Sequence, residues 1–270
     1  MIKMIELLLA RQITIILAGA LSAWTDYKTG YIYDKITYPL IAIGILFNLI
    51  EGEFLGIALG AVVFGIGYVL YIAGKFGGGD VKLLAGIAMT LPFFAGKIFV
   101  ISVLILSAMS AMIFFAVYYM LKYARKGIDF KYNKEGIRNS GILLAAIMFY
   151  FYMLITNEFV SVGTALFLIV PVCFGIVFVG FEKGIKKEFF LKKIKLKEIK
   201  EEEIIALEFM SKEELEKIKK FGAIITPEDI EKFSKKGIKE ILIYYNLPKF
   251  GPFILAGIVI ALAFPGAWFF

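Results

Sequence analysis

Runs of about 18 or more apolar residues with few charges are long enough to cross a lipid bilayer as helices. This chain of 270 residues has four of them, at 54–74, 98–121, 159–181 and 251–270. Shorter or interrupted runs lie at 6–24, 36–50, 81–95 and 142–156. The pattern predicts an all-α polytopic membrane protein of about eight transmembrane helices. The number is seven if 81–95 only dips into the bilayer, since that run is short and Pro92 lies near its end. The chain is 60% hydrophobic, against roughly 45–50% in soluble domains, and its mean hydropathy is +0.82.

The first run does not read as a cleaved signal peptide. It lacks a small-residue cleavage site, and its only early cations are Lys3 and Arg11. Arg11 sits inside the run, where a charge is costly unless it snorkels to the interface. Histidine is absent, which removes Ser-His and Cys-His nucleophile pairs and the commonest metal ligand. No metal site is expected. The single cysteine, Cys173, falls in a run of Val, Phe and Ile and reads as a small buried hydrophobe.

Alternating eight spans across a membrane gathers the loops 25–35, 75–80, 122–140 and 182–250 on one side. All of the 30 Lys and Arg residues lie on that side except Lys3, Arg11 and Lys97. Cytoplasmic loops collect Lys and Arg, so both termini are expected outside a cell membrane and the basic loops in the cytoplasm. The net charge of +7 is then topology plus attraction to anionic headgroups, and no nucleic-acid partner is implied. The organisation that follows is a transmembrane core at 1–181, a small cytoplasmic α+β domain at 182–250 and a last transmembrane helix at 251–270. Within the small domain, "SKEE" from Ser211 to Glu214 reads as a capping box. "TPED" from Thr226 to Asp229 places a cap, a proline at the first helical position and acids in the first turn. "KEILIYY" from Lys239 to Tyr245 reads as a strand.

Two carboxylates share the cytoplasmic face. Asp26, in "WTDYKTGYIYDKIT", ends the first span, and Asp80, in "KFGGGDVKLL", precedes the fourth. Neighbouring carboxylates share a proton and titrate apart, so one can act as base on a water while the other is acid on a leaving amine. Gly77, Gly78 and Gly79 would let a substrate backbone approach closely. A second reading stays open from spacing alone: a turn in which Asp80 caps the next helix and Asp26 is an interfacial turn residue. Asp34 reads as the cap of the second span. Lys82 is placed either to tune Asp80 or to mark the membrane boundary.

The tetrapeptide Gly77-Gly78-Gly79-Asp80, followed by Val81, Lys82, Leu83 and Leu84, fits the G-x-G-D motif of membrane aspartyl proteases. With Asp26, five residues and then Ile32 and Tyr33-Asp34, and with "LPKFGPF" from Leu247 to Phe253, the chain resembles the type IV prepilin peptidase family, its archaeal preflagellin branch in particular. A proline that the family places before the second aspartate or asparagine of the first motif is missing here, and "LPKFGPF" carries an inserted lysine. The resemblance implies an aspartic endopeptidase that removes the short basic leader of pilin-like or archaellin precursors at the cytoplasmic face, with Asp26 and Asp80 as catalytic pair. Members that also methylate the product often carry two Cys-x-x-Cys pairs, which this chain lacks. Peptidase activity alone, with no cofactor, is therefore expected. The presenilin-type arrangement ranks lower, because Tyr33-Asp34 comes before the second span and no Pro-Ala-Leu follows. The rival from another class is a proton- or ion-coupled carrier that uses Asp26 and Asp80 as relay groups. The absence of paired, broken half-repeats counts against it.

Overall fold

The computed structural model describes residues 2–199, 203–211, 225–235, 237–238, 240–245 and 247–265. The membrane part consists of α1 (Ile2–Thr29), α2 (Asp34–Glu51), α3 (Leu55–Ile72), α4 (Gly78–Thr90), α5 (Phe99–Lys126), α6 (Lys134–Thr156) and α7 (Val162–Phe189). A two-residue antiparallel hairpin, β1 (Phe93–Phe94) with β2 (Lys97–Ile98), joins α4 to α5. After α7 come β3 (Leu191–Lys195), β4 (Ile204–Ile205), α8 (Pro227–Lys235), β5 (Glu240–Tyr244) and α9 (Gly251–Ala263).

Each of the eight expected runs contains a helix among the described residues, although that at 81–95 leaves its helix at Thr90 and ends in β1. Five helices, α1, α3, α5, α6 and α7, are long and apolar enough to cross a bilayer. Helices α4 and α9 have 13 residues each, about 20 Å of rise against a hydrocarbon core of about 30 Å. Five is thus the number that length and composition support.

Helix α4 is enclosed by its neighbours. Val81 and every residue from Leu83 to Thr90 are buried, packed against α1, α2, α3 and α5. Small residues permit the approach. A Cβ on Gly60 would lie 2.1 Å from the Met89 side chain, and one on Gly67 2.6 Å from Val81, the packing logic of membrane helices. Ile15, Leu40, Leu83, Ile87, Val103, Ile254 and Ile258 form the centre of the core, so α9 closes the bundle beside α1 and α5.

Arg11 does not snorkel. It is buried, donates from Nη1 to the Thr90 carbonyl at 2.6 Å and pairs through Nη2 with Glu51 at 2.7 Å. Its guanidinium also lies over the Phe47 ring. The cation thereby meets the carbonyl end of α4, where the helix dipole favours it, and ties α1, α2 and α4 together.

The expected loop at 122–140 shrinks to 127–133. Lys122, Arg125 and Lys126 continue α5, with Arg125 and Lys126 in its last turn, and Glu135 stands in the first turn of α6, each at the helix end that its charge favours. Helix α7 likewise runs on to Phe189, and β3 follows almost at once.

The sheet has the order β3-β5-β4, antiparallel throughout, with Leu191 opposite Tyr244 and Ile204 opposite Tyr244 on the other side. Ile194, Ile205, Ile225, Phe233, Ile241 and Ile243 make its own core. "TPED" opens α8 as its sequence predicts. Asp229 reaches back to accept the Thr226 N–H at 3.1 Å and its hydroxyl at 2.6 Å, and Pro227 is the first helical residue. "SKEE" lies, beyond Ser211, outside the described residues. Lys186 bridges Glu182 of its own helix and Glu208, which follows β4, at 2.6 and 2.8 Å.

Candidate functional site

Asp26 stands in the last turn of α1. The helix stops at Gly30, which takes a positive φ of 79° and donates its N–H to the Asp26 carbonyl at 2.8 Å. Only glycine adopts that conformation without strain. The chain then turns through Tyr31, Ile32 and Tyr33 into α2.

Asp80 is the third residue of α4, and Gly77 is the N-cap. Its carboxylate accepts the Gly77 N–H, which is the backward arm of a capping box. The capping role left open by the sequence is thus realised, and it coexists with a second relation. The Asp26 charge acts on Asp80, so the two carboxylates belong to one electrostatic unit. Burial first, and the Asp26 carboxylate next, push Asp80 up to about 7, against the lowering effect of the Gly77 N–H. Asp80 Oδ1 is buried with no hydrogen-bond partner among the described residues. A protonated carboxyl tolerates that setting better than an anion does.

The three glycines bring the chain close to itself. Gly77 has φ −74°, and none of the three takes a positive φ, so close approach is what matters at this turn. A Cβ on Gly79 would stand 2.8 Å from both the Cβ and the carbonyl oxygen of Ile32. The α1–α2 link therefore seats on the start of α4 and holds the two aspartate-bearing ends together. A Cβ on Gly77 would stand 2.6 Å from Asp80 Oδ2, and one on Gly78 3.3 Å from the Tyr71 ring.

Asp34 is the first residue of α2 rather than its cap. The N-cap is Tyr33, which makes no side-chain capping bond. Asp34 binds Lys82 at 2.5 Å, and Lys82 also lies over the Tyr38 ring. Lys82 thus ties α4 to α2, and Asp26 is the charged neighbour that acts on Asp80. Among the described residues no group of three or more His, Cys, Asp or Glu is arranged to hold a metal ion.

Part of the site comes from the far end of the chain. Asp26 Oδ2 accepts the Gly251 N–H at 2.8 Å, across 225 positions. Lys249 Nζ donates to the Tyr27 carbonyl at 2.5 Å, and Phe250 meets Phe76 edge-on at 5.9 Å between ring centroids. "LPKFGPF" is singled out by resemblance, yet nothing in its spacing shows that it closes on Asp26. The one hint is glycine at the start of a helix. A Cβ there would stand 2.9 Å from Asp26 Cβ.

Comparison with known proteins picks out the same region. Residues 13–120 match the type IV leader peptidase family, and both Asp26 and Asp80 fall inside that stretch. A protein named prepilin peptidase EppA, from the archaeon Methanothermobacter thermautotrophicus, is 35% identical over 86 residues, which are 29% of this chain and 22% of the relative. The match therefore spans about a fifth of that relative's length. No solved structure matches. The resemblance read from the sequence is borne out over this segment, and the relative is archaeal, as the resemblance implies.

Proposed function

We propose that this chain is a membrane-embedded aspartic endopeptidase that removes the leader of type IV pilin-like precursors, pilins or archaellins, at the cytoplasmic face. The observation that carries the reading is the close seat of the α1–α2 link on the start of α4, at Gly79 and Ile32, which brings the ends bearing Asp26 and Asp80 together, within the segment that matches the leader peptidases. The relative's name supports the substrate class. Exposed Trp24, Tyr27, Tyr31, Tyr33 and Tyr38 surround the Asp26 end of α1 and α2, and such aromatic residues settle at headgroup depth. A precursor can then keep its apolar helix in the bilayer and present its leader at the level of the carboxylates.

The reaction needs one ionised and one protonated carboxyl. The anion takes a proton from water, whose oxygen adds to the scissile carbonyl carbon. The other carboxyl gives its proton to the amide nitrogen as the C–N bond breaks. In this reading Gly77, Gly78 and Gly79 keep the turn before Asp80 thin, so that the substrate backbone passes close to it. Loops rich in Lys and Arg collect on the cytoplasmic side, which supports a reading with this face in the cytoplasm and both termini outside.

The test is cleavage of a pilin-type precursor in membranes by the intact protein, Asp26→Ala and Asp80→Ala. Cleavage by the intact protein alone, with both variants folded, is the expected result. Near-original rates in either variant would remove that aspartate from the machinery and end the two-carboxylate reading.

A further inference from the structure

The positive charge around the site is unevenly divided. Gly251 opens α9, so the N–H that Asp26 accepts lies at the positive end of a helix. Lys249 is two residues earlier. Its Nζ is held on the Tyr27 carbonyl at 2.5 Å and lies over the Tyr27 ring at 5.6 Å, and from there its charge, with the Gly251 N–H, works against the larger effect of burial on Asp26. Asp80 receives no comparable support. Among the described residues it accepts the Gly77 N–H, and its Oδ1 is buried without a partner. The cation two residues along α4, Lys82, is spent on Asp34. Lys28, two residues beyond Asp26, lies over the Trp24 ring at 4.4 Å. Among the described residues, the charge that acts on Asp26 is thus Lys249, from the segment before α9, and Asp26 in turn acts on Asp80 of α4.

We propose that Lys249 is a positioning residue which, with the Gly251 amide, fixes Asp26 as the base of the pair and leaves the shared proton on Asp80. This rests on the peptidase reading and adds to it the direction of proton transfer. The Asp26 anion removes the proton from water, and the hydroxide oxygen bonds to the carbonyl carbon. Asp80 delivers its proton to the departing nitrogen. Asp26 then holds the proton taken from water, and its passage to Asp80 restores the resting pair. No electron or co-reactant beyond water is needed.

The experiment uses the full chain in liposomes and follows kcat/KM for a pilin-type precursor against pH. It compares the intact protein with Lys249→Met, Lys249→Arg and Lys28→Met. An opposite charge at close range moves a carboxylate's titration by about one pH unit or more. Lys249→Met should therefore move the acidic limb of the profile up by about one unit. That is roughly a tenfold loss below the limb, with recovery above it. Lys249→Arg should restore the limb, and Lys28→Met should leave it in place. A purely structural lysine would lower the rate equally at every pH, and that result, or an unmoved limb, overturns the assignment.

A second readout needs no cleavage. In protein labelled with ¹³C at its aspartate carboxyls, the resonance lost in Asp26→Asn should titrate about one pH unit away in Lys249→Met. If that resonance does not move, the assignment falls whatever the cleavage result. If the intact protein cuts no precursor, the peptidase reading falls, and the role of Lys249 is decided by this resonance alone.

Discussion

Asp80 holds two roles with opposed demands. As the third residue of α4 it accepts the Gly77 N–H, which favours the anion, while burial and Asp26 favour the neutral acid. The second demand prevails, and two outcomes follow. In the folded protein Asp80 keeps its proton to about 7, against 3.8 in its ordinary setting. Its contribution to stability is therefore full below about pH 4 and is lost as pH rises to 7, by up to roughly 4 kcal/mol. Asp80→Asn should keep the cap without the charge. In thermal unfolding of the detergent-solubilised protein, it should be more stable than the parent at pH 8 by about 1–3 kcal/mol and little different at pH 4. The same substitution should lower cleavage by about a hundredfold or more, since the acid is gone. In the intact protein the cleavage rate should fall as pH rises past 7. Arg11 shows the limit of reading a single residue. A cation inside an apolar run asks for a partner, but that partner is the Thr90 carbonyl and Glu51, 79 and 40 positions away. Arg11→Leu should cost about 3 kcal/mol of unfolding free energy, because it strands Glu51 and the last turn of α4.

At the scale of elements, the apolar runs reveal every helix of the membrane part, because a segment in lipid must satisfy its own backbone, while α8 is revealed by "TPED" instead. They do not reveal where each helix stops. Lys122, Arg125 and Lys126 look like loop residues until the helix dipole is counted, and α5 absorbs them. Nor does hydropathy distinguish lipid from protein as the neighbour. The run behind Asp80 reads as a short span, whereas α4 is wrapped by other helices. Its fixed point is Gly79, where the α1–α2 link at Ile32 makes contact through backbone as well as side chain. Gly79→Ala puts a methyl group 2.8 Å from the Ile32 carbonyl oxygen, and backbone on both sides leaves little room to give. A cost of about 1–3 kcal/mol follows. Cleavage should fall further than stability, because the clash drives apart the two ends that carry the aspartates. Equal loss in Gly79→Ala and in a variant destabilised as much elsewhere, measured by cleavage beside thermal unfolding, would mean that the contact holds the fold without setting the pair.

For the whole molecule, the decisive quantity is which side of the membrane carries the pair. The aspartate end of the bundle shares its side with the 127–133 turn if the five long helices alternate with α2, α4 and α9 as a full set of spans. Lysines at the ends of α5 and α6 then stand beside the same headgroups as Lys28 and Lys249. The turn between α6 and α7, with exposed Phe159, stands on the opposite side and carries no Lys or Arg from 157 to 161. The chain offers a direct test, since Cys173 is its single cysteine and sits half-buried within α7. In a Cys173→Ser background, Lys131→Cys and Phe159→Cys each place one thiol on one of the two faces. In right-side-out vesicles, a membrane-impermeant maleimide should label Phe159→Cys at once and Lys131→Cys only after the membrane is opened. The reverse pattern would put the carboxylates outside the cell, out of reach of precursors met on the cytoplasmic side. Labelling of both positions in closed vesicles would mean that the chain does not cross the bilayer between the two reporters, and would remove α6 from the set of spans. Because neither reporter touches Asp26, Asp80 or Lys249, the result decides topology without disturbing the site.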